Sequence, residues 1–214
     1  RTLVQELHKQ LCATNITFEI ILQDDGSKAQ FIEINQAIAY LSHVTYRIEN
    51  TNLGRTKTRH ILAQKASYNW LLFLDSDVAI KNHLIDNYLP YVKDYERLIY
   101  GGVCYDDNLP NSNFSLRYTF GKQREEQKAF KRNLNPYKTI ASANMLVPKT
   151  VFIKANKELS HAYGLDYLFS TFLKEHQIPV LHIDNEVIHL GLETNIAFIK
   201  KSEAAVTTLF QLNK

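Results

Sequence analysis

The chain is predicted to form a single α/β domain, with a mostly parallel sheet covered by helices on both faces. Three observations lead there. Apolar stripes at helical spacing alternate with short apolar runs that fit strands. Two of those runs end in aspartates, at Asp24 and Asp25 and again at Asp75 and Asp77. The length of 214 residues, with 45% hydrophobic and 22% charged residues, supports one core of good size.

The elements follow in order. Leu3, Val4, Leu7 and Leu11 recur at helical spacing, and Phe18 to Gln23 is an apolar strand that runs into Asp24, Asp25, Gly26 and Ser27. Phe31, Ile34, Ile38 and Leu41 make the next helical stripe, Val44 to Ile48 a short strand, and Thr56 to Ala66 a helix. Trp70 to Leu74 is apolar throughout, as a strand buried on both faces should be. The pattern then becomes less regular: a helix over 84–95 that contains Pro90, and a strand over 98–104 that contains Gly101 and Gly102. Residues 140–147 read as a strand, 165–173 as a helix, 180–190 as a last β region and 195–210 as an amphipathic helix. No internal repeat or linker divides the chain, so one domain over 1–214 is expected, with a regular half to residue 104 and a more irregular half over 105–214.

Composition removes several classes. A formal charge of +3 is too mild for the footprint of a nucleic-acid binder. Cys12 and Cys104 have no framework spacing, so they are expected to be reduced core thiols in a reducing, cytoplasmic setting. No apolar run reaches the length of a membrane span. From Arg117 to Lys138, seven Lys or Arg stand against Glu125 and Glu126, a surplus of 7 − 2 = +5. That segment is either a solvated face or a basic flap over a diphosphate or an anionic lipid-linked group.

Ligands of open α/β sheets bind beyond the carboxyl ends of the strands. Asp75 and Asp77, two apart at such an end, should share a face, and two hard oxygen donors suit Mg²⁺ or Mn²⁺ on a diphosphate. Asp24 and Asp25 end a second strand and can accept from a nucleobase N–H or a ribose hydroxyl, or can simply make an Asp-Gly turn. Asn52-Leu-Gly-Arg-Thr-Lys-Thr-Arg59 lies between a strand and a helix, where backbone amides and the cations Arg55, Lys57 and Arg59 can meet phosphate.

Taken together, Phe18-Glu-Ile-Ile-Leu-Gln-Asp-Asp-Gly-Ser27, Asn52-Leu-Gly-Arg55 with Arg59, and Leu72-Phe-Leu-Asp-Ser-Asp77 resemble the family-2 glycosyltransferases, inverting enzymes of the GT-A fold that use nucleotide sugars. The resemblance implies that Asp25, with Asp24 beside it, contacts the nucleobase, Asp75 the ribose and Asp77 the metal, with Arg55 and Arg59 near the nucleotide. It implies Asp166, in Tyr163-Gly-Leu-Asp166, as general base, although Leu165 stands where a Glu is common. It offers His189, in Val187-Ile-His189-Leu-Gly191, as a further metal ligand, with His182 a weaker candidate; an imidazole favours Mn²⁺ over Mg²⁺. The structural alternatives are a dipole-complementing acid for Asp166 and a core histidine for His189. That family opens with an apolar strand ending in a Pro-x-Tyr-Asn type turn, and Arg1 begins after the point where it should lie.

The function implied is transfer of a sugar from a nucleotide sugar, UDP-linked by first choice, to a hydroxyl of a glycan or lipid-linked saccharide, as in polysaccharide biosynthesis. The lipid-linked case would put the chain at the inner face of a membrane as a peripheral protein. Two alternatives stay open at this point. One is a phosphatase of the haloacid dehalogenase type, with Asp75 as nucleophile and Asp106 and Asp107 as its further acidic pair. The other is a nucleotide-sugar or glycan-binding module without turnover.

Overall fold

The computed structural model describes residues 1–93, 97–108, 110–138, 140–156 and 162–212. The first half alternates as expected: α1 (Thr2–Cys12), β1 (Ile20–Asp25), α2 (Ala29–Gln36), β2 (Val44–Glu49), α3 (Arg55–Lys65) and β3 (Trp70–Leu74). β1 and β2 pair in parallel from Ile20 opposite Val44 to Asp25 opposite Glu49. After β3 come β4 (Val78–Ala79), α4 (Leu84–Tyr88), β5 (Leu98–Tyr100) and β6 (Val103–Cys104), then the short helices α5 (Ser115–Phe120) and α6 (Ala129–Arg132). β7 (Asn144–Pro148), α7 (Lys149–Ala155), α8 (Asp166–Glu175), β8 (Val180–His182), β9 (Val187–His189) and α9 (Asn195–Leu212) complete the order.

Besides β1–β2 there are two sheets, in the orders β3-β7-β5-β8 and β4-β9-β6. The α/β class is as expected, and the pairing is mixed: β7 runs antiparallel to β3 and β5, and β9 antiparallel to β4, while β5–β8 and β6–β9 are parallel. Alternation along the strands of the four-stranded sheet builds a core on each face. Leu71, Phe73, Leu98, Tyr100, Met145 and Val147 meet Ala63 of α3, Phe152 of α7, and Phe169 and Leu173 of α8. Leu72, Leu74, Ile99 and Leu146 point the other way, toward Leu84, Tyr88, Val103 and Tyr118. Burying each such side chain contributes about 1.5–3 kcal/mol.

Where the structure departs from the sequence reading, one cause recurs. The expected strand over 98–104 divides into β5 and β6, the expected β region over 180–190 divides into β8 and β9, and Asp75-Ser-Asp77 divides β3 from β4. In each case the chain leaves the four-stranded sheet and enters the three-stranded one. Asn144, wholly buried, holds this seam together. Its Nδ2 donates to the carbonyls of Gly102 (2.9 Å) and Asn185 (2.7 Å), and its Oδ1 accepts from the Tyr88 hydroxyl at 2.8 Å.

The helix expected over 84–95 stops at Tyr88 and tightens into a 3₁₀ turn at Leu89–Tyr91, because the Pro90 ring cannot continue it; residues 94–95 lie outside the described ones. Cys104 is half-buried, as a core thiol would be, but Cys12 is exposed. The buried stripe of α1 runs through Val4 and Leu11, and Cys12 falls beside it.

Candidate active site

The run Asp75-Ser-Asp77 was expected to present both carboxylates on one face. The turn between β3 and β4 sends them to different partners instead. The Asp75 amide donates to Ala143 O at 3.1 Å, and its carboxylate takes an ion pair from Arg59, which sits one helical turn after Arg55 on the same side of α3. Arg59 also donates to the Ser142 hydroxyl, and that hydroxyl donates to Asp166 Oδ1 at 3.2 Å. The other Asp166 oxygen meets Arg55 Nη2 at 2.9 Å. Four residues singled out in the sequence, Arg55, Arg59, Asp75 and Asp166, therefore form one chain of charge through Ser142. Burial, together with the positive charge of Arg55, pushes the Arg59 guanidinium below its usual value, and Asp75 opposes that shift. Arg55 and Asp166 sit at the solvent edge of the network, with side chains 51% and 40% exposed. Beneath them lies a cleft of about 20 Å³ lined by Thr56, Arg59, Ser142, Leu165 and Asp166, room for one water.

Asp77 faces the other way. The pairing of Val78 with His189, and the bond from the Leu190 amide to Asp77 O at 2.8 Å, bring the Asp77 carboxylate toward the histidine ring. His189 Nε2 and Asp77 Oδ2 stand 3.9 Å apart. That is too long for a hydrogen bond. Neighbouring donors about 2.1 Å from one octahedral ion stand about 3 Å apart, so the two side chains would close by about 1 Å to share one. His189 Nδ1 is buried with no hydrogen-bond partner among the described residues. Gly191 leaves the space needed, because a Cβ there would overlap the Asp77 carboxylate. A carboxylate and an imidazole fit Mn²⁺ or Mg²⁺, ions that fill their remaining positions with water and substrate phosphate. No group of three or more His, Cys, Asp or Glu that could hold a metal occurs among the described residues. The pair would thus need oxygen donors from a ligand.

Asp24 and Asp25 end β1 beside the N-terminus of α3. Asp25 accepts from the amides of Leu53 (2.7 Å) and Gly54 (3.0 Å), so it complements the N-terminus of α3; Gly54, at φ +83°, makes the turn that presents them. Asp24 is buried and accepts from the Ser27 amide and the Tyr46 hydroxyl, both at 2.8 Å. Burial works against its charge, but these bonds outweigh it and hold the carboxyl below its ordinary range. Burial and the same carboxylate push the Tyr46 hydroxyl up to about 12. Asp24 therefore lies outside the Arg59 network, which reaches the β1 end only through the start of α3.

Other residues have settled roles. His182 is buried; its Nε2 lies 2.7 Å from Pro136 O and its Nδ1 accepts from Arg132 Nε at 3.3 Å, so it serves the core. Asp107, fully exposed, pairs with Lys122 at 2.8 Å, and Asp106 bonds to Asn108; the acidic pair that a phosphatase would require turns to solvent. Sequence reasoning did not single out the Ser142 hydroxyl, which lies 83 residues from Arg59. Nor did it find Tyr105, whose ring centroid lies 5.5 Å from that of His189 and whose hydroxyl bonds to Glu125.

Comparison with known proteins bears on the family and on the fold. The sequence model described as "Glycosyl transferase family 2" matches residues 1–154. No curated protein matches the sequence. Among solved structures, the S. aureus TarS 1-349 complex with UDP-GlcNAc aligns with a TM-score of 0.62 at 16% identity, over 90% of this chain and 56% of that one. S. aureus TarS aligns with a TM-score of 0.61 at 16% identity, over 89% of this chain and 35% of that one. GalNAc-T7 with UDP, GalNAc and Mn²⁺ aligns with a TM-score of 0.56 at 16% identity, over 81% of this chain and 38% of that one. The chain thus spans about half of the TarS 1-349 fragment and about a third of TarS, and at these identities the likeness speaks for the fold alone.

Proposed function

Because this chain belongs to glycosyl transferase family 2, we propose that it transfers a sugar, with inversion, from a UDP-linked donor to a hydroxyl of a glycan or a lipid-linked saccharide. One observation carries the reading: a single Asp-Ser-Asp turn gives one carboxylate to a buried arginine and the other to a histidine. The bound nucleotides of the two structural neighbours, UDP-GlcNAc in TarS and UDP in GalNAc-T7, support the choice of donor. Mn²⁺ in the latter supports a divalent ion here.

Asp77 and His189 would hold that ion, which supplies Lewis-acid charge to a diphosphate. Asp75, fixed by Arg59, would accept from a ribose hydroxyl, and Asp24 and Asp25 would border the nucleobase with the lone pairs they have left. Arg55 and Arg59 bring positive charge to the phosphate side. Asp166 would take the proton of the acceptor hydroxyl as that oxygen attacks the anomeric carbon from the face opposite the nucleotide. The bond to the nucleotide then breaks, and its electron pair leaves with the diphosphate. Ser142 orients Asp166 throughout, and the half-exposed Arg55 can turn from Asp166 toward the donor. An acceptor on a lipid carrier would bring the enzyme to a membrane face.

Thermal unfolding with UDP and Mn²⁺ tests the donor site, because a ligand confined to the folded state must raise the midpoint. The wild type should show the rise and Asp77→Ala should not. Asp166→Asn should keep the rise and lose transfer from a UDP-sugar; full transfer by that variant would remove Asp166 as the base.

A further inference from the structure

Residues 124–138 carry charge and apolar surface that the transfer site does not use. From inside, α6 and the turn after it are fixed to the core. Arg132, 2% exposed, donates to the carbonyls of Gln127, Gly101 (3.3 Å) and Ile183 (2.6 Å). The Ala129 amide donates to Asp184 Oδ1 at 2.7 Å, and Asn133 exchanges two bonds of 2.9 Å with the backbone of His182. Held in this way, the segment cannot roll over to bury its outer side. On that side Phe130 of α6 is 67% exposed and Leu134, in the turn that follows the helix, 84% exposed. Arg124, Lys128, Lys131 and Lys138 are exposed around them in sequence, and no acidic residue occurs from 127 to 138. Of these cations only Lys128 has an ion pair among the described residues, a long one to Glu186 at 3.7 Å.

We propose that this face docks on an anionic lipid bilayer, with Phe130 and Leu134 entering the boundary between headgroups and acyl chains and the four cations meeting the headgroups. The mixture of groups selects this partner. Protein interfaces deplete charge at their apolar centre, whereas here cations are interleaved with the apolar pair. A second copy of the chain would oppose like charges. A bilayer accepts both kinds of group at different depths. The inference stands on this surface alone and does not depend on the proposed transfer reaction.

The test is co-sedimentation of the full chain with vesicles of phosphatidylcholine and phosphatidylglycerol at about three to one, and with phosphatidylcholine alone. Binding is expected to the anionic vesicles, to weaken with salt, and to be at least about tenfold weaker without the anionic lipid. Lys131→Gln with Lys138→Gln should lose roughly 25-fold, at about fivefold per cation. Phe130→Ala with Leu134→Ala should also lose at least about tenfold, and because both sites are exposed the variants should unfold at the wild-type midpoint. Emission of a Phe130→Trp variant should shift to the blue on anionic vesicles. Absence of binding, or binding equal to the wild type by both double variants, would overturn the proposal. So would a dimer in sedimentation that the Phe130 and Leu134 changes dissolve without any vesicle binding, since the face would then be a protein interface.

Discussion

His189 Nε2 and Asp77 Oδ2 face each other at 3.9 Å, a separation that leaves the pair short of a hydrogen bond, and Gly191 keeps the space at the carboxylate clear. Gly191→Ala should therefore be a selective lesion. The added methyl would displace a carboxylate that is half exposed and free to swing away, so the fold should lose no more than about 1–3 kcal/mol. The rise in unfolding midpoint with UDP and Mn²⁺ should disappear. Retention of a wild-type rise would show that Asp77 is not needed where it now stands.

Arg59 joins Asp75 to Ser142 from a largely buried position. Arg59→Ala would strand Asp75 without its cation, a loss that should cost about 3 kcal/mol. For a domain of this size the midpoint should fall by roughly 6–12 °C. Arg59→Lys should recover only part of this, because an ammonium cannot span two acceptors as a planar guanidinium does. Thermal melts of the two variants decide it.

Tyr46 donates to the buried Asp24. Tyr46→Phe should cost about 2 kcal/mol at neutral pH, the worth of a hydrogen bond to a charged group. The folded pKa of Asp24 is depressed, so its contribution is present above the ordinary carboxylate range and is lost as pH falls through the folded value. The gap between variant and wild type should consequently narrow in acid, which denaturant titrations at pH 7 and pH 3 would measure.

His182 titrates with the opposite chemistry and the same sign. Burial first, and Arg132 beside it, lower its folded pKa below 6.5, so the unfolded chain takes up the proton more readily. Stability should be full above pH 6.5 and fall as pH drops toward the folded value. His182→Gln, which keeps a donor and an acceptor, should start from a lower midpoint but show a flatter dependence between pH 6.5 and 5. An unchanged slope would place the acid-sensitive group elsewhere.

The regular half of the fold was legible because its signals are local. Leu71 and Phe73 alternate with Leu72 and Leu74 onto opposite cores. The sheet crossings were not legible. An apolar run such as Leu98 to Cys104 looks the same whether it stays in one sheet or passes to another, and the decision rests with Asn144, more than 40 residues away. The aspartates of the candidate site stood out as residue types, yet their divergence did not, since it depends on the turn that carries the chain from β3 to β4. Ser142 was not singled out because an isolated serine has no periodicity or spacing of its own to mark it.

The seam at Asn144 has a mechanical consequence. Its side chain ties the crossings at Gly102 and Asn185 to each other and to Tyr88, while its main chain accepts from the Gly101 amide at 3.1 Å. Loosening one crossing removes a partner from the others, so the seam should open as a single cooperative unit rather than fray strand by strand. The Arg59 network and the Asp77–His189 pair lie on opposite sides of the third crossing. Their spacing is set by the closed state of a joint whose two ends, Asp75 and Asp77, belong to the two groups themselves.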